Sequence, residues 1–421
     1  MTSITQQPAL RLVPSASPLR AGLARRISET VVRRVPVDVR LPDGSQFGTP
    51  ASGQEEGAPV LQLVRPHAFF SRLADHPKIG VGEGYVAGDW RAGVGTDLAE
   101  LLLPFAERLA DIVPPVLARA RRVVDRRIPA AQRNSPEGSR RNVSAHYDLS
   151  NDMFAAFLDE TMSYSSALFD DERPWAHQDL AEAQVRKIDA ILDLARVAAG
   201  SRVLEIGTGW GALAIRAAQR GARVTTLTLS EEQAALARTR VAEAEVDDLV
   251  DVRLQDYRQA EGLYDAVVSV EMIEAVGEEF WPTYFTTLDR LLAPGGIVAI
   301  QAILMSHERY LTTRASYGWI QKYIFPGGLI PSLRAIEGTT SRHTTLAVCE
   351  VNAFGRHYAE TLRRWRWQFL ANWSQIQGNG FGEEFRRTWE FYLAYCEAGF
   401  QSGYLEVAQI RLERGSQEMA V

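Results

Sequence analysis

The sequence predicts an α/β protein: a mostly parallel sheet flanked by helices, preceded by a smaller α+β unit. Three observations predict it. Short apolar or β-branched runs alternate with helical stretches over residues 202–303, the pattern of βαβ units. One run, Arg202–Ile206, leads directly into three closely spaced glycines, Gly207, Gly209 and Gly211. The charge is also divided: residues 1–142 carry 20 Lys and Arg against 14 Asp and Glu, so a front of +6 precedes a body of −12 in a chain of net −6.

Along the chain, residues 1–22 have no periodic pattern and read as a mobile tail. Leu23 to Val35 reads as a short basic amphipathic helix carrying Arg25, Arg26, Arg33 and Arg34, stopped by Pro36. Val37–Leu41 alternates like a strand and runs into the turn Pro42-Asp43-Gly44. A helix-like stretch, His67–Leu73, precedes a glycine-rich run at residues 80–84. Residues 97–128 look helical and end in an arginine cluster at 119–127. The segments thus divide into a tail (1–22), an accessory unit (23–128), a polar linker (129–139) and a larger domain (140–421). In that domain, strands are expected at Arg202–Ile206, Arg223–Thr228, Val250–Leu254, Ala266–Val270 and Gly296–Ile303. Helices are expected at Ala212–Gln219 and Glu231–Glu243, with an edge strand at Tyr404–Leu412.

Composition narrows the function. With 46% hydrophobic and 23% charged residues, disordered and fibrous classes are excluded. No apolar run approaches about 18 residues, so no spanning helix is expected. No secretory h-region is visible. The two cysteines, Cys349 and Cys396, suffice for neither a disulfide framework nor a zinc site, and no metal is expected. A cytoplasmic location fits.

The glycine loop is the strongest chemical signal. Glycines let the backbone turn sharply and approach a ligand at the carboxyl end of the first strand. Gly207, Gly209 and Ala212 also satisfy a relaxed dinucleotide pattern. Against that, the second strand ends in Thr226-Leu227-Thr228 and not in the acid a nicotinamide ribose needs, while Glu205 sits two residues before the first glycine. This arrangement resembles the S-adenosyl-L-methionine (SAM) loop of class I, Rossmann-like methyltransferases.

Further motifs narrow the resemblance. They are residues 146–154 (HYDLSNDMF), 162–167 (MSYSSA), 228–233 (TLSEEQ), 255–258 (QDYR) and 322–328 (KYIFPGG). Together with the loop they resemble the cyclopropane-fatty-acid synthase family of SAM-dependent lipid methyltransferases over residues 140–414. Arg65–Phe70 and Gly82–Tyr85 resemble the accessory domain of its longer members. Residues 271–277 (EMIEAVG) and 301–303 (QAI) are similar to the actinobacterial enzymes that make 10-methylene-stearoyl chains, precursors of tuberculostearic acid.

The resemblance implies that Tyr164 and Ser165 lie over the SAM methionine end and that Gly207, Gly209 and Gly211 form its floor. Thr228, Leu229, Ser230 and Gln233 would surround the ribose and adenosine, with Gln255 and Asp256 at the adenine edge. Ser230 and Gln233 also form a capping-box pattern. Family members hold a bicarbonate ion as base. Its expected shell here is Ser166, Glu274, Gln301, Ile303 and Tyr358, with Ser166 replacing a cysteine and Gln301 a histidine. Ser and Gln bind an oxyanion but do not titrate near neutrality, so the exchange is expected to favour the methylene product.

The expected reaction is methyl transfer from SAM to the double bond of an oleoyl-type phospholipid, giving a 10-methylene chain. Cyclopropane-fatty-acyl-phospholipid synthase and a non-catalytic lipid-binding protein remain as alternatives, and no motif suggests nucleic acid. The basic front is expected to dock peripherally on the inner, anionic face of the cell membrane, and a separate reductase would make the 10-methyl product. Homo-oligomerisation stays open. Two aromatic stripes, Leu362/Trp365/Phe369/Trp373 and Phe385/Trp389/Tyr392/Cys396, read first as core packing and second as an acyl-chain wall.

Overall fold

The computed structural model describes residues 16–48, 57–109, 129, 132–135, 138–139 and 150–415. The arginine cluster at 119–127, His146–Leu149 of the first motif, and much of the expected tail and linker lie outside the described residues.

The N-terminal unit comprises α1 (Pro18–Val32), β1 (Asp38–Arg40), β2 (Gln46–Gly48), β3 (Val60–Leu63), α2 (Pro66–Asp75), α3 (Pro77–Ala87), β4 (Trp90–Ala92) and α4 (Leu98–Glu107). Helix α1 begins five residues before the expected start, because Ser17 caps it through Arg20 N and Pro18 occupies its first turn. The strands form one sheet in the order β2-β1-β3-β4, with β1 and β3 parallel. The glycine-rich run forms the body of α3. A Cβ on Gly82 would stand 2.5 Å from the Trp319 indole and 2.8 Å from Phe391, so the glycines admit close aromatic packing that outweighs their poor helix propensity.

The larger unit continues with α5 (Asn151–Ala155), α6 (Leu180–Leu194), β5 (Arg202–Ile206), α7 (Ala212–Gln219), β6 (Arg223–Thr228), α8 (Glu231–Glu243), β7 (Val250–Leu254) and β8 (Tyr264–Val270). Then follow α9 (Trp281–Leu291), β9 (Leu292–Leu304), α10 (His307–Thr313), α11 (Trp319–Tyr323), α12 (Leu333–His343), β10 (Leu346–Ala353), α13 (Gly355–Ala371), α14 (Trp373–Gly378), α15 (Glu383–Gln401) and β11 (Glu406–Arg414). Seven strands form one sheet in the order β10-β11-β9-β8-β5-β6-β7. Strands β5 to β9 run parallel; β11 is antiparallel to both neighbours. The expected edge strand, β11, is therefore interior, and β10 covers it. The chain runs outward through β6 and β7 and returns at β8. The carboxyl ends of β5 and β8 thus meet at the switch point where open α/β sheets bind ligands.

Both aromatic stripes fulfil the core reading. Leu362, Trp365, Phe369, Phe385, Trp389 and Tyr392 are buried and share one hydrophobic cluster with Phe69, Tyr85 and Trp90 of the N-terminal unit. Burying each such side chain is worth about 1.5–3 kcal/mol. Polar contacts also join the two parts. Arg366 donates to Asp97, the cap of α4, and to Glu397. Glu83 of α3 accepts from Tyr323 at 2.6 Å and pairs with Lys322, placing α11 against α3.

Candidate functional site

Two turns build the site. The first follows β5, where Gly207, Gly209 and Gly211 take φ values of +100°, +51° and +91°, the left-handed region that side chains disfavour. A Cβ on Gly209 would meet nothing within 4 Å, so its backbone faces open space, whereas one on Gly211 would lie in van der Waals contact with Ala237 of α8. The second turn follows β8. Glu271, immediately after the strand, has φ +51° without being glycine. A left-handed non-glycine residue costs roughly 1–2 kcal/mol and persists only where its surroundings hold it.

A cavity opens between these turns. Its walls include Tyr164, Ser165, Glu205, Gly207, Gly209, Thr228, Leu229, Gln233 and Gln255. Nine of the expected cofactor residues thus surround one space, which suits SAM: a bare backbone floor, small polar side chains and an apolar rim. The other three do not line it. Gly211 initiates α7, Ser230 caps α8 through Gln233 N, and Asp256 is turned to Arg258 at 2.7 Å. Arg258 in turn reaches Asn134 O and Ser139 Oγ. Asn134 and Ser139, from the expected linker, also line the cavity.

The expected bicarbonate shell is organised differently from the sequence reading. Ser166 N donates to Glu271 Oε1 at 2.9 Å, Gln301 Nε2 to the same oxygen at 2.8 Å, and Tyr358 OH to Glu271 Oε2 at 2.6 Å. The Ser166 hydroxyl turns to Ala167 O instead. Gln301 is fixed by Gln409, whose Nε2 donates to its Oε1 and to Lys187 O. Ile303 N donates to Glu274 Oε1, and Glu274 Oε2 has no hydrogen-bond partner among the described residues. Glu271 lines the cavity; Glu274, Ser166, Gln301 and Tyr358 do not. The donors assigned to a bicarbonate are therefore satisfied by the chain's own carboxylate. A second anion there would find its donors taken and a buried acid beside it, so these residues do not fit a resident bicarbonate.

Sequence reasoning also missed Lys187. It is 2% exposed, lies on the buried face of α6, lines the cavity and donates to Ser165 Oγ at 2.6 Å. Burial pulls its ammonium down to about 8, opposed by the charges of Glu271, Asp159 and Glu205. Burial pushes Glu205 up to about 8 against a hydrogen bond from Thr226. It pushes Glu274 up to about 8 as well, helped by the neighbouring Glu271 charge. Glu271 is raised by burial too, but Tyr358, Ser166, Gln301 and Lys187 favour its ionised form. The signal for Lys187 was legible, since it falls one helical turn from Ala183 and Ile191 on an apolar stripe.

Residues 134–410 match the family described as mycolic acid cyclopropane synthetase. The chain is 48% identical over 410 residues to the tuberculostearic acid methyltransferase UfaA1 of Mycobacterium tuberculosis, covering 97% of this chain and 95% of that protein. It is 33% identical over 361 residues to the cyclopropane-fatty-acyl-phospholipid synthase of Escherichia coli strain K12, covering 85% and 89%. The solved structure of the mycolic acid cyclopropane synthase CmaA1 complexed with SAH and CTAB superposes with a TM-score of 0.59 at 33% identity, covering 65% of this chain and 97% of that one.

Proposed function

Because this chain belongs to the mycolic acid cyclopropane synthetase family and is a SAM-dependent methyltransferase, we propose that it methylates the double bond of an oleoyl-type phospholipid chain and releases a 10-methylene product. The near full-length identity to a tuberculostearic acid methyltransferase carries this reading.

SAM supplies an electrophilic sulfonium methyl. The glycine floor binds it, Thr228, Leu229, Gln233 and Gln255 hold the adenosine, and Tyr164 and Ser165 orient the methionine end. Tyr164 is itself anchored: its hydroxyl shares a 2.8 Å hydrogen bond with Tyr392, and its ring lies 5.2 Å from both Phe154 and Trp365. That aromatic packing fixes Tyr164 at the cavity wall and excludes water behind it, and the weakly nucleophilic alkene must be held in line with the methyl. Such positioning is worth several kcal/mol, within an upper range of about 7–11. Methyl transfer leaves a cation on the neighbouring alkene carbon; a 1,2-hydride shift must bring it to the methyl-bearing carbon before loss of a proton from the new methyl forms the exocyclic double bond.

The substrate lies in a bilayer, and no helix among the described residues is long and apolar enough to cross one. Docking is assigned to α1, whose exposed Leu19 and Leu23 stand one turn apart beside exposed Arg25 and Arg26. Saturating the methylene branch needs a hydride donor, so a separate reductase completes the 10-methyl chain. Incubation with SAM and dioleoyl phospholipid vesicles, followed by mass spectrometry and proton NMR, tests the reading. Exocyclic methylene protons are expected; ring protons would instead identify a cyclopropane synthase, and no methylated lipid would refute both.

A further inference from the structure

We propose that Glu271 is the built-in base of this site, standing where the family resemblance implied a bicarbonate ion, and that its carboxylate takes the proton lost by the alkyl cation. This rests on the methyl-transfer reading above.

Four observations converge on it. The carboxylate accepts from Ser166 N, Gln301 Nε2 and Tyr358 OH, three of the positions expected to bind the ion. Of the two acids in the Glu271–Glu274 turn, only Glu271 lines the cofactor cavity. That cavity is continuous with the glycine floor, since a Cβ on Gly207 would touch Met272, the next residue along. Glu271 also holds a left-handed backbone that glycine would occupy without strain; Met162, Arg196 and Glu245 do so too, but of the four only Met162 and Glu271 line the cavity, and only Glu271 is ionisable there. Finally, the groups facing it are suited to one ionised carboxylate and no second anion. Lys187 is the buried cation nearby, Tyr358 and Gln301 are neutral donors, and Glu274 is held protonated at neutrality by burial and by Glu271. Burial raises the proton affinity of Glu271 itself, which strengthens it as a base.

The step balances without another reactant. The alkene π pair forms the new C–C bond as the methyl–sulfur bond breaks and its electron pair returns to sulfur. The cation so left stands on the neighbouring alkene carbon; a 1,2-hydride shift brings it to the methyl-bearing carbon, a C–H bond of the new methyl then breaks, its electron pair becomes the exocyclic double bond, and its proton passes to a Glu271 oxygen. Neutral S-adenosylhomocysteine and a protonated carboxyl remain, and the proton leaves to solvent when the products depart.

The test begins with wild-type enzyme, SAM and dioleoyl phospholipid vesicles in carbon-dioxide-free buffer, following S-adenosylhomocysteine release and methylated lipid. Activity is expected to be unchanged, within about twofold, when bicarbonate is restored, and 13C-labelled bicarbonate should show no bound NMR signal. Glu271→Gln should lower the rate by about 10²- to 10⁴-fold, the usual worth of a general base, while S-adenosylhomocysteine still binds by calorimetry. Glu271→Gly should lose comparable activity and recover about tenfold or more with added bicarbonate or formate, since it opens an anion hole among the same donors. Bicarbonate-dependent activity in the wild type, or near wild-type activity in Glu271→Gln, overturns the assignment and leaves the methyl-transfer reading standing. Absence of methylated lipid from the wild type at every bicarbonate concentration overturns both.

Discussion

Replacing Tyr358 with Phe isolates one contact of the Glu271 cluster. The hydroxyl donates to Glu271 Oε2 at 2.6 Å, while its ring packs against Phe400 at 4.4 Å. Phenylalanine keeps the packing and deletes the donor. A hydrogen bond to a buried charged group is worth about 1.5–3 kcal/mol, and about 1.4 kcal/mol corresponds to one pKa unit. The loss falls on the ionised form, so the Glu271 pKa, already raised by burial, should climb a further ~1–2 units. Activity needs the carboxylate and disappears as pH falls through its pKa. The acidic limb of the kcat/KM profile should therefore move to higher pH by that amount, with the activity above the limb reduced much less. Initial rates of S-adenosylhomocysteine release across pH, with vesicles held constant, measure the limb, and thermal melting checks the packing. An unmoved limb together with a lower rate at all pH values would refute the reasoning, because Tyr358 would then act on something other than Glu271.

The remaining predictions probe the floor, the product, the docking of the N-terminal unit and the membrane face. Gly207→Ala imposes a side chain at φ +100° with its Cβ 2.8 Å from Met272 Cγ; at about 1–3 kcal/mol of strain, calorimetry should show S-adenosylhomocysteine affinity reduced roughly tenfold or more. Gln301→His should leave the methylene product unchanged by NMR if Glu271 takes the proton, and a switch to ring product would restore product control to position 301. Glu83→Ala removes the carboxylate partner of Lys322, while Arg72 keeps Asp89 at 2.9 Å, and should cost about 3 kcal/mol in urea unfolding. The hydrogen bonds from Lys322 and Tyr323 outweigh burial and hold Glu83 below the usual carboxylate range, so its contribution is present above that range and is lost as pH falls through the lowered pKa. Replacing Arg25, Arg26, Arg33 and Arg34 with Gln should weaken binding to anionic vesicles by about 1 kcal/mol per arginine at low salt, read by sedimentation, with no effect on neutral vesicles.

The parallel core was legible because buried strands announce themselves locally. Arg202–Ile206, Arg223–Thr228 and Val250–Leu254 appear at the expected positions. Strand β10 was missed because it covers the sheet edge: after Leu346 nearly every residue is exposed or half-buried, so no apolar alternation marks it. The helix through Gly80–Gly84 was hidden for the opposite reason. Its propensity is poor locally, and the Trp319 and Phe391 rings that demand a small residue at Gly82 come from segments some 240 to 310 positions later in the chain. The residues expected around the cofactor converge on one cavity where motif and strand end coincide. The exceptions, Gly211, Ser230 and Asp256, serve the helix starts and the Arg258 pair. Glu271 and Glu274 are the hardest case. They are the same residue type three positions apart, and only the left-handed turn at Glu271 decides which one faces the cavity.

That turn also bears on how the product is chosen. A diffusible ion in a ring of donors has its own position and orientation to settle, whereas a carboxylate one residue past β8 is placed by the sheet itself. Glu271 N donates to Gln301 O at 2.7 Å, and Gln301 returns a hydrogen bond to the Glu271 side chain, so backbone and carboxylate are locked to the same strand of the core. The cost is about 1–2 kcal/mol of left-handed backbone. Against it stands the advantage of a base held at high effective concentration beside the reacting carbon, a contribution several times larger. A fixed base also removes its proton from a fixed direction. In both outcomes the new methyl loses one proton; the electron pair left behind closes a ring onto the neighbouring cation, or forms an exocyclic double bond when a hydride shift has first brought the cation to the methyl-bearing carbon. The backbone at residue 271 therefore sets where the base stands, ahead of any single hydrogen-bond donor in its ring.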